Sequence, residues 1–168
     1  ELKTDSSERK IPVFYLLKAE EYHLFHSHVV EQRLLKQNDL YLFRNWRKNS
    51  KLNNYTVTTP FRIIMNELFK DHDYSFHSFR HTAANHLAIL LNGDYTTLGK
   101  NLTDYTEKEY HSIRAELIRN THGQNHWFIL AHLLGHIEPT ETFKSYIHLS
   151  YLIAGHKILQ YHPDIDTG

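Results

Sequence analysis

Hydrophobic side chains recur at three- and four-residue spacing along most of the chain, which predicts a mainly helical protein. Residues 16–37 show this spacing with charged residues between the apolar ones, as expected of one long amphipathic helix. Residues 80–91, in a helix that opens near His77, carry small and apolar side chains on a narrow face, which is typical of close packing at the centre of a fold. The same spacing predicts further helices over residues 59–71, 107–118, 129–134, 139–146 and 151–161.

Segments that favour strands are short and lie mostly near the start of the chain. Residues 2–4 and 10–14 predict two strands joined by a polar turn, with Pro12 restricting the second strand to a sheet edge because proline lacks a backbone donor. An aromatic cluster at residues 41–46 precedes a polar stretch, residues 47–55, that predicts a loop. The expected fold class is therefore α+β, mainly α with a small β-hairpin.

Length and composition narrow the class of protein. A chain of 168 residues without a break in composition predicts a single domain. It contains no cysteine, which excludes disulfides and thiolate metal sites and fits a reducing compartment such as the cytoplasm. No apolar run approaches the roughly 20 residues of a transmembrane helix, so no membrane partner is expected. Lys plus Arg equals Asp plus Glu at 19 each, and this balance alone argues mildly against nucleic-acid binding.

Two segments carry side chains suited to phosphate chemistry. His77 and Arg80 are three residues apart and share a helical face, which places an imidazole beside a guanidinium that matches phosphate oxygens. Downstream, a predicted helix ends at Gly135 in the sequence Leu-Leu-Gly-His, and Tyr146 follows His136 after a short helix. The chain's 15 histidines could also supply metal ligands or a pH-dependent charge, so their abundance alone selects no function.

In their order and spacing, these segments resemble the catalytic domain of tyrosine recombinases of the phage-integrase family. That family has a His-x-x-Arg helix start, then Leu-Gly-His, then a tyrosine nucleophile about ten residues on, which here correspond to His77, Arg80, His136 and Tyr146. The predicted N-terminal hairpin is similar to the family's lysine-bearing hairpin, with Lys3 at the position of the active lysine. The resemblance spans nearly the whole chain and implies the DNA breaking-rejoining enzyme fold.

The resemblance also implies a role for each matched residue. Tyr146 would attack a DNA phosphodiester and form a 3′-phosphotyrosine bond. Arg80 and His136 would donate hydrogen bonds to the charged phosphate oxygens, and His77 would support the phosphate and manage protons. Lys3 would protonate the departing 5′ oxygen as general acid. No metal, nucleotide cofactor or small-molecule substrate is required.

The implied function is site-specific integration or excision of DNA in the bacterial cytoplasm or nucleoid. The partners would be double-stranded DNA and other recombinase protomers, assembled as a tetramer on two duplexes. The family's first catalytic arginine lies upstream of the hairpin, so we expect residues 1–168 to be the C-terminal part of a longer integrase, inactive or weakly active alone. Residues 92–124 lengthen the segment between Arg80 and His136 and are expected to form an insertion or a surface excursion.

Two alternatives remain open from the sequence. The chain could be a catalytically silent DNA-binding or regulatory relative, in which Tyr146 is an ordinary amphipathic residue at the edge of the core. Lys10 shares the predicted hairpin with Lys3 and competes with it for the role of active lysine.

The second alternative is a histidine-rich metal enzyme. His132 and His136, or His77 and His81, are four residues apart and could bind zinc from one helical face. No glutamate accompanies them in the arrangement of a metalloprotease, so no metal site is predicted. His81 and His148 are expected to be structural or to support the site indirectly.

Overall fold

A computed structural model describes residues 11–34, 42–45, 50–70, 74–119 and 125–161, and these residues are mainly helical, as predicted. The chain divides into two compact units. The first comprises residues 13–78, and the second comprises the described residues from Phe79 onward together with Ile11 and Pro12. None of the described helices combines the length and apolarity that crossing a bilayer requires.

The first unit opens with a short helix where a strand was predicted. Helix α1 spans Val13–Leu16, so the prediction of a strand over residues 10–14 is wrong at residues 13 and 14. Pro12 fixes its φ angle near the helical value, and the chain turns at once, with the Leu17 N–H donating to the Val13 carbonyl at 3.1 Å. The predicted first strand and Lys3 lie outside the described residues.

Helix α2 spans Ala19–Leu34 and confirms most of the long helix predicted from the periodicity. A break at Leu17 and Lys18 separates it from α1, because the Lys18 N–H donates to the Glu21 carboxylate at 3.0 Å and this bond caps a new helix start. Residues 35–37 of the prediction lie outside the described part of the chain.

The only strands in the described residues form a two-stranded antiparallel ladder, β1 at Arg44–Asn45 and β2 at Ser50–Lys51, with Arg44 opposite Lys51. A loop was predicted over residues 47–55, and this is wrong at β2 and again at Asn54, where helix α3 begins.

Helix α3 spans Asn54–Leu68 and begins earlier than predicted, because the Asn53 side chain accepts the Tyr55 N–H at 3.1 Å and caps the helix there. Pro60, predicted at the first helical position, lies inside the helix instead. There its missing N–H removes one backbone hydrogen bond.

Helix α4 spans Phe76–Asn92, and the second unit is built on its part from Phe79 onward. The last nine residues of α4 are almost all buried. A π-helix at Tyr95–Gly99 follows and continues into α5. The remaining helices are α5 Lys100–Leu102, α6 Glu107–Arg119, α7 His126–Leu134, α8 Pro139–Ser145 and α9 Ser150–Tyr161. The helices predicted over residues 107–118, 129–134, 139–146 and 151–161 are confirmed to within a few residues.

Residues 95–119 supply part of the core and do not form a surface excursion. The Tyr110 side chain is fully buried, and its hydroxyl donates to the Ile89 carbonyl in α4 at 2.7 Å. Leu98 and Leu117 are also buried, and the Arg114 guanidinium donates to the Gly93 carbonyl at 3.0 Å. The polarity of this segment made its packing hard to predict from the sequence, because its buried apolar residues, Leu98, Tyr110 and Leu117, are few and lie among polar ones. Its status as an insertion relative to the recombinase family stays a prediction.

We expect Tyr110→Phe to lower the free energy of unfolding by about 1 kcal/mol, the usual net contribution of one buried hydrogen bond. Burial raises the pKa of the Tyr110 phenol to about 12, so the folded protein keeps this proton after the unfolded chain begins to lose it near 10. The stability that this residue provides is therefore present below pH 10 and is lost as pH rises toward 12. Urea unfolding across this range should show a shallower alkaline decline for Tyr110→Phe than for wild type. An equally steep decline would contradict this account.

An ion pair holds α9 against the turn that follows α4. The Asp94 carboxylate accepts hydrogen bonds from the Thr96 hydroxyl at 2.5 Å and the Thr97 N–H at 3.0 Å, and it contacts the His156 imidazole of α9. Burial, the strongest influence, raises the pKa of the Asp94 carboxyl. The hydrogen bonds from Thr96 and Thr97, together with the attraction of His156, outweigh burial and hold the pKa below 3.8.

We expect Asp94→Ala to lower the free energy of unfolding at pH 7 by about 1–2 kcal/mol, because it removes a helix cap as well as the contact with His156. Since the folded pKa is depressed, the carboxylate stabilises the fold above pH 3.8, and this contribution is lost as pH falls through the lower folded value. Urea unfolding of both proteins at pH 7 and in acid should show their difference shrinking in acid. The exposed Asp104 serves as control, and a large effect of Asp104→Ala would contradict a specific role for Asp94.

Candidate functional site around Tyr146

Tyr146 lies at the turn that ends α8. Pro139 occupies the first position of this helix, as predicted, and the Tyr146 N–H donates to the Thr142 carbonyl at 2.9 Å. The next residue, Ile147, is buried and anchors the turn in the core. Tyr146 itself is half-buried, so its ring rests on the protein surface beside the start of α4.

Arg80 contacts the Tyr146 ring from α4. Its guanidinium carbon lies 4.9 Å from the ring centroid, a cation–π arrangement. The same guanidinium donates to the carbonyl of Leu134, the last residue of α7. The partial negative charge at the end of a helix favours a cation there. Arg80 therefore joins the start of α4, the end of α7 and the Tyr146 turn.

His136 reaches the same ring from the turn after α7. Gly135 has a φ of 80°, in the left-handed region that favours glycine, and it lets the His136 N–H fold back to the Ala131 carbonyl at 2.8 Å. The His136 ring centroid lies 5.1 Å from that of Tyr146. Its Nδ1 is 2.7 Å from the hydroxyl of Thr142, a buried residue of α8. When that hydroxyl donates, Nε2 carries the ring proton and can donate to a phosphate oxygen.

His81 is part of this cluster, although the sequence suggested only a structural or supporting role. Its ring stacks on Tyr146 with centroids 4.9 Å apart and planes 29° apart. Its Nδ1 lies 3.3 Å from Nε2 of the exposed His148, so the two imidazoles can share a proton. Its position directly after Arg80 was the available sequence signal. In a helix the next residue lies at nearly the same height along the axis and points to a neighbouring face.

Asn85 is a buried polar residue that sequence reasoning missed. It lies one turn after His81 in α4, and its amide bonds to the backbone of the turn at Tyr146, His148 and Leu149. An asparagine within an otherwise apolar helical face was the available signal, since a buried amide requires partners. Three of its four partners are backbone groups more than 60 positions away, which no local pattern specifies.

The structure thus brings together three of the five predicted site residues, Arg80, His136 and Tyr146. His77 is exposed in the first turn of α4 and belongs to the first unit, so its role stays a prediction. Lys3 lies outside the described residues. Within the described part of the chain, no group of three or more His, Asp or Glu side chains is placed to hold a metal ion, so the metal-enzyme alternative has no ligand set there.

The cluster combines side chains that suit phosphate binding. A phenol, a guanidinium and three imidazoles meet within one patch, and the guanidinium and imidazoles are the side chains that most readily donate to phosphate oxygens. No family model, curated protein or solved structure matches this chain. The geometry of this patch and the resemblance of its sequence motifs are therefore the two grounds for a functional assignment.

Proposed function

We propose that this protein is a site-specific tyrosine recombinase that cleaves and rejoins DNA through a covalent bond to Tyr146. The substrate is double-stranded DNA, and strand exchange takes place between protomers of a tetramer in the bacterial cytoplasm. The observation that supports the proposal most strongly is the convergence of Arg80 and His136 on the Tyr146 ring from separate helices.

In the cleavage step, the Tyr146 oxygen attacks the phosphorus of a DNA phosphodiester and loses its proton to a neighbouring base or to water. The bond from phosphorus to the 5′ oxygen breaks, and that oxygen takes up one proton to leave as a hydroxyl. Lys3 is the proposed source of this proton. In rejoining, a 5′ hydroxyl attacks the phosphotyrosine and releases Tyr146. The number of phosphoester bonds is conserved, so no nucleotide cofactor is consumed.

Arg80 and His136 would stabilise the additional negative charge on the phosphate oxygens during both steps. Arg80 has five N–H donors, and its bond to Leu134 uses one of them while fixing the direction of the guanidinium. His136 is fixed in turn by Thr142. Donors that are already oriented need no reorganisation as the charge develops, which is the main source of their catalytic effect. His77 is proposed to support the phosphate because the resemblance implies this role.

The proposal is tested by capturing a covalent protein–DNA adduct. The full-length gene product is incubated with a pool of nicked duplexes of randomised sequence, in which the 5′ oxygen at the scissile position is replaced by sulfur. A thiolate leaves without needing a proton and attacks the phosphotyrosine poorly, so the adduct accumulates. A band that survives boiling in detergent and disappears on nuclease treatment is the expected result. A soluble, folded protein that binds this DNA but gives no adduct would contradict the proposal.

A further inference from the structure

The Asn85 amide uses its whole hydrogen-bonding capacity. Its Nδ2 donates to the Tyr146 carbonyl at 2.9 Å and to the His81 carbonyl at 2.8 Å. Its Oδ1 accepts the N–H groups of His148 at 3.0 Å and Leu149 at 3.2 Å. An amide has two N–H donors and two acceptor lone pairs, and all four are engaged. The side chain is only 8% exposed, so water does not replace these bonds.

These bonds fix the backbone that directly follows the Tyr146 side chain to one level of α4. The Tyr146 carbonyl and the amides of His148 and Leu149 are all held by the one Asn85 side chain. Arg80 and His81, which contact the Tyr146 ring, lie within about 8 Å of Asn85 along the same helix axis at 1.5 Å per residue. The Tyr146 turn is therefore held by the same part of α4 that carries Arg80 and His81.

We infer that Asn85 is a positioning residue, which sets the reach of the Tyr146 hydroxyl toward the phosphate without touching the DNA itself. The inference rests on the proposed function of Tyr146. Reaction rates of this kind depend steeply on geometry, and a displacement of about 1 Å lowers them by up to about 100-fold. Loss of Asn85 leaves the tyrosine present but releases the turn that carries it.

The chain contains a matched control for this test. Asn92 lies in the same helix, is 5% exposed, and donates to the Ala88 carbonyl just as Asn85 donates to that of His81. It is about 10 Å further along the helix axis. Asn85→Leu and Asn92→Leu thus remove the same amide from the same helix, and only the first removes the bonds to the Tyr146 turn.

Adduct formation is measured with the sulfur-substituted DNA pool. Two quantities are determined: the rate at saturating DNA, and the DNA concentration that gives half of that rate. We expect Asn85→Leu to lower the saturated rate about 10- to 100-fold with little change in the half-saturating concentration. Asn92→Leu should leave the rate unchanged, because its bond to Ala88 lies away from the Tyr146 turn. Hydrogen exchange at the amides of His148 and Leu149 should accelerate in Asn85→Leu alone.

Asn85→Asp provides a second variant of the same shape should the leucine variant fail to fold. It keeps the acceptor for His148 and Leu149 and loses the donors to Tyr146 and His81, so the rate should fall less than in Asn85→Leu and the two amides should stay protected. A saturated rate that is unchanged in Asn85→Asp or Asn85→Leu while wild type reacts would overturn the inference and leave the proposed function standing. Absence of adduct with wild type would overturn both.

Discussion

We expect Tyr146→Phe to abolish covalent attachment of DNA while DNA binding stays unchanged. Phenylalanine keeps the ring, and with it the contacts to Arg80, His81 and His136, but it lacks the attacking oxygen. The substitution therefore separates catalysis from folding and binding. Adduct formation on the sulfur-substituted duplexes measures catalysis, and gel mobility with unmodified duplexes measures DNA binding.

Tyr151 is the control for this substitution, because it lies in the same segment at the start of α9 and is 68% exposed. Tyr151→Phe should form adduct at the wild-type rate. If Tyr146→Phe still forms adduct, another residue is the nucleophile. If Tyr146→Phe changes no recombination phenotype in cells and wild type forms no adduct, the catalytically silent alternative is favoured over the proposed function.

Arg80→Ala should lower the rate of adduct formation by about 100- to 1,000-fold, the usual effect of removing one oriented donor from developing negative charge. Arg80→Lys should recover only part of this loss, because an ammonium retains the charge but lacks the planar fork of donors that matches a phosphate. Both rates are measured at saturating DNA, so that weaker binding does not enter the comparison.

Arg80 also donates to Leu134, and a fall in rate could reflect damage to the fold. Arg114 makes the comparable bond to the Gly93 carbonyl after α4 and is likewise half-buried. Arg114→Ala should therefore reduce thermal stability by a similar amount and leave the rate unchanged. Equal losses of rate in the two variants would show that Arg80 acts through the fold and not on the phosphate.

Most of the helices could be predicted from the sequence because their signals are local. Pro139 at a first helical position and Gly135 at a helix end follow from backbone geometry that each residue carries by itself. The predictions failed where a local signal competed with another. Pro12 was taken as an edge-strand residue although it precedes a helix, and Pro60 was taken as a helix start although Asn53 caps the helix earlier.

The site was predictable in part for a related reason. Arg80, His136 and Tyr146 belong to short motifs whose order is visible in the sequence, and the structure places them in contact. Asn85 has no motif, because its partners are backbone groups brought to it by packing of the chain after α8 against α4. The burial of Tyr110 was missed for the same reason, because a hydrogen bond across the core leaves no periodic pattern in the sequence.

The attachment site of the DNA tests the central claim most directly. Wild-type adduct is digested with nuclease and then with trypsin, which cuts after Lys144 and Lys157 and releases a peptide that contains both Tyr146 and Tyr151. Fragmentation of this peptide in a mass spectrometer assigns the added nucleotide to one of the two tyrosines. We expect a 3′-phosphonucleotide on Tyr146 and none on Tyr151. Attachment at any other residue would contradict the account.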